Sequence, residues 1–329
     1  MFSPGTVYVK AVEPVPKGRP PKKLPSIAEQ TKWATGFYKF PDEWKSFGVE
    51  TEYFNCTLLG RANGVNTLIA RHRVIPLGTV GANTLKAWTL VGNEPVKAWS
   101  INIPRVHFKE NFEDPRVTWV GGQILLSWCN FKWNSFAHQC VGWLNERQTV
   151  GKVFHPVVGK NGPRLMANTG HEKNWLWFEH DGIVRLLYTA NPHTIYDTFN
   201  FVIGTKHESP GVLWNYGEVR GGTPPIRVGD EYFTFFHSRT KWIPPKCRYH
   251  MGCYAFEAKP PFKVTRCTTK PLLSGSELDR RNLGAPLVVF PEGSKFVDGK
   301  WLVVGGSNDC QCFWQYIPHE ELMDKTKPI

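Results

Sequence analysis

One short pattern recurs five times along the chain: a polar segment, an apolar strand, a tight turn that often contains Gly, and a second strand. This order is typical of a β-hairpin. In the clearest copy, Glu113-Asp114-Pro115-Arg116 precedes the first strand and Gly121-Gly122 forms the turn. The copies recur at intervals of about 50 to 67 residues, which is the range of blade-sized repeats. They span residues 54–73, 112–129, 172–189, 221–237 and 288–305.

The repeat predicts one closed assembly, although a chain of 329 residues is long enough for two domains. A single small sheet cannot bury both of its faces until neighbouring modules pack on each side. We therefore expect an all-β, five-bladed β-propeller over residues 50–322. A basic, Pro-rich extension and lead-in (1–49) precede it, and a C-terminal tail (323–329) follows. Because the first strand of each blade lines the central channel, the polar residues of the repeats should converge there. An all-β sandwich is the alternative fold.

Composition agrees with a sheet-rich protein, since 14% of the residues are aromatic and Gly and Pro are frequent. We expect a cytoplasmic location, because no apolar run is long enough to span a bilayer and residues 1–25 lack the apolar core of a signal peptide. The eight cysteines show no disulfide-framework spacing. Their spacing also matches no standard zinc finger, so we expect neither metal nor cofactor.

The formal net charge of +12 favours acidic partners such as nucleic acid, phosphorylated sugars or an anionic surface. The sequence contains no nucleic-acid motif, and a basic face that only keeps the protein soluble is an equal alternative. Part of the charge lies in Pro14–Pro25, which we expect to be extended and exposed.

Several short motifs, taken in order, resemble the β-propeller enzymes of glycoside hydrolase family 130. The resemblance covers roughly residues 50 to 322, and its strength lies in the order of the motifs. They are Phe54-Asn55 with Arg71, Glu113-Asp114-Pro115-Arg116, Lys173 before an apolar strand, Gly222-Thr223-Pro224-Pro225-Ile226, Val289-Phe290-Pro291-Glu292-Gly293, and Gly305-Gly306-Ser307-Asn308-Asp309.

The resemblance implies a role for each matching position. Asp114 would be the proton donor in an inverting cleavage of β-mannosides, with the proton passing through a sugar hydroxyl. A carboxyl group suits this task because the leaving glycosidic oxygen must be protonated as its bond breaks. The other implied substrate positions are Arg116, which would hold the aspartate or the sugar, Asn55 and Asp309 for sugar binding, and Thr223 and His237 along the channel.

An anion site is the second expectation. Strand alternation points Arg71 and Arg73 to the same side, which suits a bidentate anion. The resemblance adds Lys173, which would help to bind inorganic phosphate. The sequence departs from the phosphorylases of the family where they usually carry a His-Arg pair, because Thr189-Ala190-Asn191 stands there.

This departure leaves three enzymatic alternatives. The attacking group is phosphate, or it is water with Glu113 or Glu172 as its base, or the protein is a glycosyltransferase that uses a nucleotide sugar or sugar phosphate. A non-catalytic carbohydrate-binding propeller is the remaining class. In that case tryptophans such as Trp128, Trp133, Trp175 and Trp177 would stack on sugars, although strand aromatics more often form the core between blades.

Overall fold

The structure is a computed structural model, which describes residues 24–41, 50–60, 65–75, 83–104, 110–132, 137–147, 149–154, 157–158, 173–241, 247–279 and 286–329. Glu172, Trp133 and most of Pro14–Pro25 lie outside these ranges. In the described residues, no helix is long and apolar enough to cross a membrane.

Nearly all of the described secondary structure is β, and its strands form five sheets. Numbered in chain order, the first strand is β1 (Thr35–Phe37). Sheet 1 contains β2 (Glu50–Gly60), β3 (Asn66–Ile75), β4 (Asn83–Val91) and β5 (Glu94–Ser100). Sheet 2 contains β6 (Glu110–Val120), β7 (Gln123–Lys132), β8 (Ala137–Leu144) and β9 (Val150–Phe154). Sheet 3 contains β10 (Val157–Val158), β11 (Leu176–His180), β12 (Ile183–Ala190), β13 (His193–Phe199) and β14 (Val202–Ser209).

The two remaining sheets include strands from distant parts of the chain. Sheet 4 contains β15 (Glu218–Arg220), β16 (Ile226–Val228), β17 (Glu231–Lys241), β18 (Cys247–Glu257), β19 (Val264–Thr268) and β20 (Leu273–Ser274). Its seventh strand is β24 (Thr326–Pro328), which follows the short helix α1 (His319–Lys325). Sheet 5 contains β21 (Val289–Val297), β22 (Lys300–Ser307), β23 (Gln311–Pro318) and β1. Strands from the predicted extension and tail, β1 and β24, therefore pair with β23 and β19 of these sheets.

Each of the five repeats contains an antiparallel strand pair: β2 with β3, β6 with β7, β11 with β12, β16 with β17, and β21 with β22. The turns explain why the hairpins form. Asp298-Gly299 joins β21 to β22 with both residues at positive φ (50° and 71°), a conformation that suits a two-residue turn between twisted strands.

The sheets close into a ring, because five clusters of buried apolar side chains lie between successive sheets. The clusters join sheets 1 and 2, 2 and 3, 3 and 4, 4 and 5, and 5 and 1. Trp128, Trp175 and Trp177 are at most 2% exposed and belong to these cores. The all-β propeller is thereby confirmed. The number of blades, five, stays a prediction, since the sheets are unequal and two of them have five and seven strands.

Candidate active site

The same local irregularity recurs in the first strand of three repeats. The register shifts at Asn55 in β2, at Asp114 in β6 and at Glu292 in β21. Asn55 and Asp114 also have positive φ values of 50° and 51°, which Asn and Asp tolerate better than most residues. A β-bulge leaves its extra residue unpaired and re-aims that side chain. The repeat therefore releases one polar side chain from each of these strands.

Two of the released side chains meet. Nδ2 of Asn55 donates a 2.9 Å hydrogen bond to Oδ1 of Asp114, and both residues are buried. Arg71 lies beside them: its Nη2 donates a 2.6 Å hydrogen bond to Oε1 of Glu113, and its Nη1 is 3.8 Å from Oδ1 of Asp114. Sheets 1 and 2 thus share a cluster of two carboxylates, one guanidinium and one amide.

Arg116 packs against this cluster on the side away from solvent and is only 1% exposed. Its Nη1 donates to the carbonyl of Asp114 at 3.0 Å, and its Nε donates to the carbonyl of Gly222 at 2.7 Å. Its Nη2 lies 3.4 Å from Oδ1 of Asn174, which stands just before β11. The planar guanidinium with its five donors suits such a bridge between three sheets. Arg116 therefore fixes the backbone of Asp114.

A cavity of about 360 Å³, here called the central cavity, opens over the cluster. Its wall contains six of the ten predicted site residues: Asn55, Arg71, Glu113, Asp114, Lys173 and Asp309. The remaining wall residues were not predicted: Tyr249, Val288 and Phe290. The sequence motifs of four different repeats thus converge on one chamber.

Four predicted site residues are not among those that line the central cavity. Arg73 forms an ion pair with Glu52, and Arg116 lies under the cluster as described. Thr223 is fully buried, and its hydroxyl accepts a 3.0 Å hydrogen bond from the backbone N–H of Phe235. His237 is 2% exposed and packs its ring 4.2 Å from that of Phe290.

Burial and charge set the protonation of the cluster. Burial raises the pKa of Asp114, but the nearby Lys173, Arg71 and Arg116 and the Asn55 hydrogen bond outweigh burial and hold that pKa below its ordinary value. For Glu113, burial dominates and raises the pKa, although Arg71 lowers it in part.

Burial and neighbouring charges also set the pKa values of the surrounding groups. Burial raises the pKa of Asp309, whereas Lys173 keeps a raised pKa because Asp114 and Glu113 outweigh its burial. Burial also lowers the pKa of His237 well below its ordinary value, so this ring is neutral. The free site therefore combines an ionised Asp114 and a charged Lys173 with the carboxyl groups of Glu113 and Asp309, which stay protonated to a higher pH than ordinary carboxyl groups.

Glu292 lies near Asp114 but not on the cavity wall, and sequence reasoning missed it although a signal was present. It occupies the bulge of the fifth repeat, as Asn55 and Asp114 do in the first two. The residue is fully buried, and neither carboxyl oxygen has a hydrogen-bond partner within the part of the chain that the structure describes. Burial and the nearby Asp114 raise its pKa well above the ordinary 4.5.

A second and larger cavity of about 780 Å³, here called the outer cavity, adjoins the first. Lys173 and Tyr249 line both cavities, so the two are neighbours that share part of their wall, and together they are here called the cleft. Other residues on its wall are Trp175, Tyr188, Thr189, Asn191, Trp214, Glu218, Arg220 and Arg239. The cleft has room for a substrate longer than one sugar.

Comparison with known proteins agrees with this architecture. A model of glycoside hydrolase family 130, described as beta-1,4-mannooligosaccharide phosphorylase, matches residues 100–328. No curated protein matches the sequence.

Solved structures share the fold at low sequence identity. A beta-1,2-mannobiose phosphorylase from Listeria innocua is 15% identical, with a TM-score of 0.64 over 85% of this chain and 94% of that one. A GDP-Man-dependent mannosyltransferase from Leishmania mexicana is 13% identical, with a TM-score of 0.56 over 88% and 91%. A mannose phosphorylase from the same organism, in complex with phosphate ion, is 12% identical, with a TM-score of 0.54 over 85% and 87%.

Proposed function

Because the chain belongs to glycoside hydrolase family 130, we propose that this enzyme breaks β-mannosidic bonds by an inverting reaction with Asp114 as the proton donor. The attacking group is inorganic phosphate or water. The observation that carries the proposal is the cluster at the central cavity, where Asn55 and Arg71 both contact Oδ1 of Asp114. We further propose that each of the five sheets is one blade of the propeller.

The low pKa of Asp114 has a mechanistic consequence, because a proton donor must first hold a proton. The ionised form is favoured by the positive charges of Lys173 and Arg71. A phosphate dianion beside these two groups would cancel their field, and a bound sugar would exclude water. Both changes raise the pKa of a buried carboxyl group. Asp114 would therefore become protonated as the substrates bind, and the sugar hydroxyl would relay the proton to the leaving oxygen.

Two residues suit the attacking group. Lys173 lies on the wall of both cavities and keeps its charge, so it would bind and orient phosphate. If water attacks instead, Glu113 would be its base. Arg71 makes Glu113 a poorer base, because Nη2 of Arg71 already donates a 2.6 Å hydrogen bond to Oε1 of Glu113. This contact supports phosphate over water activated by Glu113 as the attacking group.

A product assay tests the proposal. The purified protein is incubated with β-1,2- and β-1,4-linked manno-oligosaccharides, with and without phosphate, and with nucleotide sugars in parallel. Release of a sugar 1-phosphate only when phosphate is present would establish phosphorolysis. Cleavage without phosphate would establish hydrolysis, and consumption of a nucleotide sugar alone would contradict both.

Matched variants assign the residues. Asp114→Asn should lower turnover about a hundredfold or more, as expected for loss of a general acid. Asp298→Asn is the control, because Asp298 is an exposed aspartate with nearly the same φ (50°) in a hairpin turn. Lys173→Met should raise the KM for phosphate without unfolding the protein. Unchanged turnover in Asp114→Asn would remove this residue from the mechanism.

A further inference from the structure

The two cavities differ in their balance of charged side chains. The central cavity contains three carboxyl groups, from Glu113, Asp114 and Asp309, against two cations. The wall of the outer cavity contains three cations, Lys173, Arg220 and Arg239, and the carboxylate of Glu218. A substrate that occupies both cavities therefore meets more carboxyl groups at one end and more cations at the other.

Strand pairing places the outer cations together. In the register of β15 and β17, Arg220 lies opposite His237 and Glu218 lies opposite Arg239. In the register of β17 and β18, Arg239 lies opposite Tyr249. Because side chains two residues apart on a strand share a face, both arginines stand on the face that also carries Tyr249.

These cations are available to a ligand. Arg239 is exposed and shares a side-chain hydrogen bond with Tyr249. Nη2 of Arg220 contacts Oε2 of Glu218 at 2.8 Å in a pair whose side chains are 38% and 71% exposed. Such an exposed ion pair is weak and can exchange its carboxylate for another anion. A guanidinium fork matches the geometry of a phosphate group.

Size and lining point to a sugar that carries the anion. The outer cavity, about 780 Å³, lies within the range of sites for small organic molecules and far exceeds the volume of an inorganic phosphate. The half-buried rings of Tyr188 and Trp214 offer apolar surface, and Thr189 and Asn191 offer polar groups for hydroxyls. Lys173 and Tyr249 connect this space to Asp114.

We propose that the outer cavity binds a phosphomonoester on the leaving-group sugar, so that the preferred substrate is a phosphorylated β-mannoside. The inference rests on the proposed function, because it takes the bond above Asp114 as the one that is cleaved. Arg220 and Arg239 bind the phosphoryl oxygens, and Lys173 stands on the wall that the outer cavity shares with the central cavity. The neutral mannosyl unit occupies the central cavity.

Selectivity between two substrates tests the proposal. The kcat/KM is measured for a β-mannosyl disaccharide and for the same disaccharide with a 6-phosphate on its reducing sugar. The wild type should prefer the phosphorylated form at least tenfold. Arg239→Gln and Arg220→Gln should each reduce that preference about tenfold, the loss expected for one charge-assisted hydrogen bond. Arg227→Gln removes the charge of an exposed arginine of the same sheet and should leave the preference unchanged.

A binding measurement separates this proposal from the proposed function. Calorimetric titration of mannose 6-phosphate, mannose and inorganic phosphate needs no turnover. Binding of mannose 6-phosphate that weakens in Arg239→Gln supports the outer site even if neither disaccharide is cleaved, and in that case the proposed function alone fails. Equal kcat/KM values for the two disaccharides in the wild type overturn the proposal. It is also overturned if inorganic phosphate binds as tightly as mannose 6-phosphate and depends equally on both arginines.

Discussion

The amide of Asn55 donates a hydrogen bond of 2.9 Å to the carboxylate of Asp114, across 59 residues of sequence. The two residues occupy corresponding bulges of successive repeats and have nearly the same φ, 50° and 51°. The repeat therefore places the bulge residue of the first hairpin within reach of the bulge residue of the second. The candidate active site is built from contacts between copies of a single structural unit.

Two substitutions of Asn55 should separate its chemical role from its backbone role. Asn55→Ala and Asn55→Gly both remove the hydrogen bond to Asp114, so each should lower kcat/KM about tenfold to a hundredfold. Ala is strained at φ 50° and Gly is not, so Asn55→Ala should also be less stable than Asn55→Gly by about 1–2 kcal/mol. Denaturant unfolding and steady-state kinetics measure the two effects. Equal stability would contradict the role of the positive φ.

Arg71 and Arg73 form a matched pair for testing the cluster. Both guanidiniums lie over the ring of Phe54, at 4.5 and 4.7 Å from its centroid, so either substitution loses a similar cation–π contact. Only Arg71 contacts Glu113 and Asp114. Arg71→Gln should therefore raise the apparent pKa values in the pH profile of kcat/KM, because a nearby positive charge favours the ionised carboxylates.

Arg73→Gln is the control for that measurement. Its partner Glu52 stands away from the cavity wall, and its other contact is with the backbone carbonyl of Asp309 at 3.3 Å. We expect a smaller displacement of the pH profile than in Arg71→Gln, because Arg73 lowers the pKa of Asp309 less than Arg71 does and contacts neither Glu113 nor Asp114. Equal displacement of the profile in both variants would show that net charge, and not the Arg71 contact, sets the protonation of the cluster.

The sequence predicted the parts of the site that repeat. Alternating strands, turn residues and a fixed interval are local signals, and closure of the ring follows from the need to bury both faces of each sheet. Convergence of Asn55, Asp114 and Lys173 could therefore be predicted before any coordinates. The family resemblance then suggested a chemical role for each.

The remaining wall residues depend on the register between strands, which no repeat encodes. Tyr249 reaches the cavity because β18 pairs with β17 in a particular register, and Arg239 stands opposite it for the same reason. Glu292 was visible as part of the fifth repeat, but its bulge appears only in the pairing of β21 with β22. Thr223 and His237 were expected along the channel, whereas tight packing around sheet 4 buries both.

Thr223 should matter for stability more than for binding. Its hydroxyl accepts a hydrogen bond from the buried N–H of Phe235 and would leave that donor unpaired if removed. Thr223→Val, which keeps the shape, should therefore lower the free energy of unfolding by about 1–3 kcal/mol. Thr223→Ser keeps the hydroxyl and serves as the control. A large rise in KM with unchanged stability would instead indicate a direct contact with substrate.

Glu292 gives the protein a dependence of stability on pH. In the unfolded chain this carboxyl group ionises near its ordinary pKa of 4.5, whereas burial keeps it protonated to much higher pH in the folded state. The contribution of Glu292 to the free energy of unfolding is therefore fully present below pH 4.5 and is lost as pH rises towards the pKa of Glu292 in the folded state. Over that range the free energy of unfolding should fall by up to about 1.4 kcal/mol per pH unit for this one group.

Glu292→Gln should remove that slope, because the amide ionises in neither state. Above pH 4.5 the difference in the free energy of unfolding, variant minus wild type, should therefore increase with pH. Urea unfolding at pH 5, 6, 7 and 8 measures it, with Glu94→Gln as the control at an exposed position of β5. The other buried carboxyl groups are present in all three proteins, so their contributions cancel in the comparison. A difference that stays constant from pH 5 to 8 would mean that Glu292 is ionised in the folded protein, with a cation or an ordered water network compensating its charge.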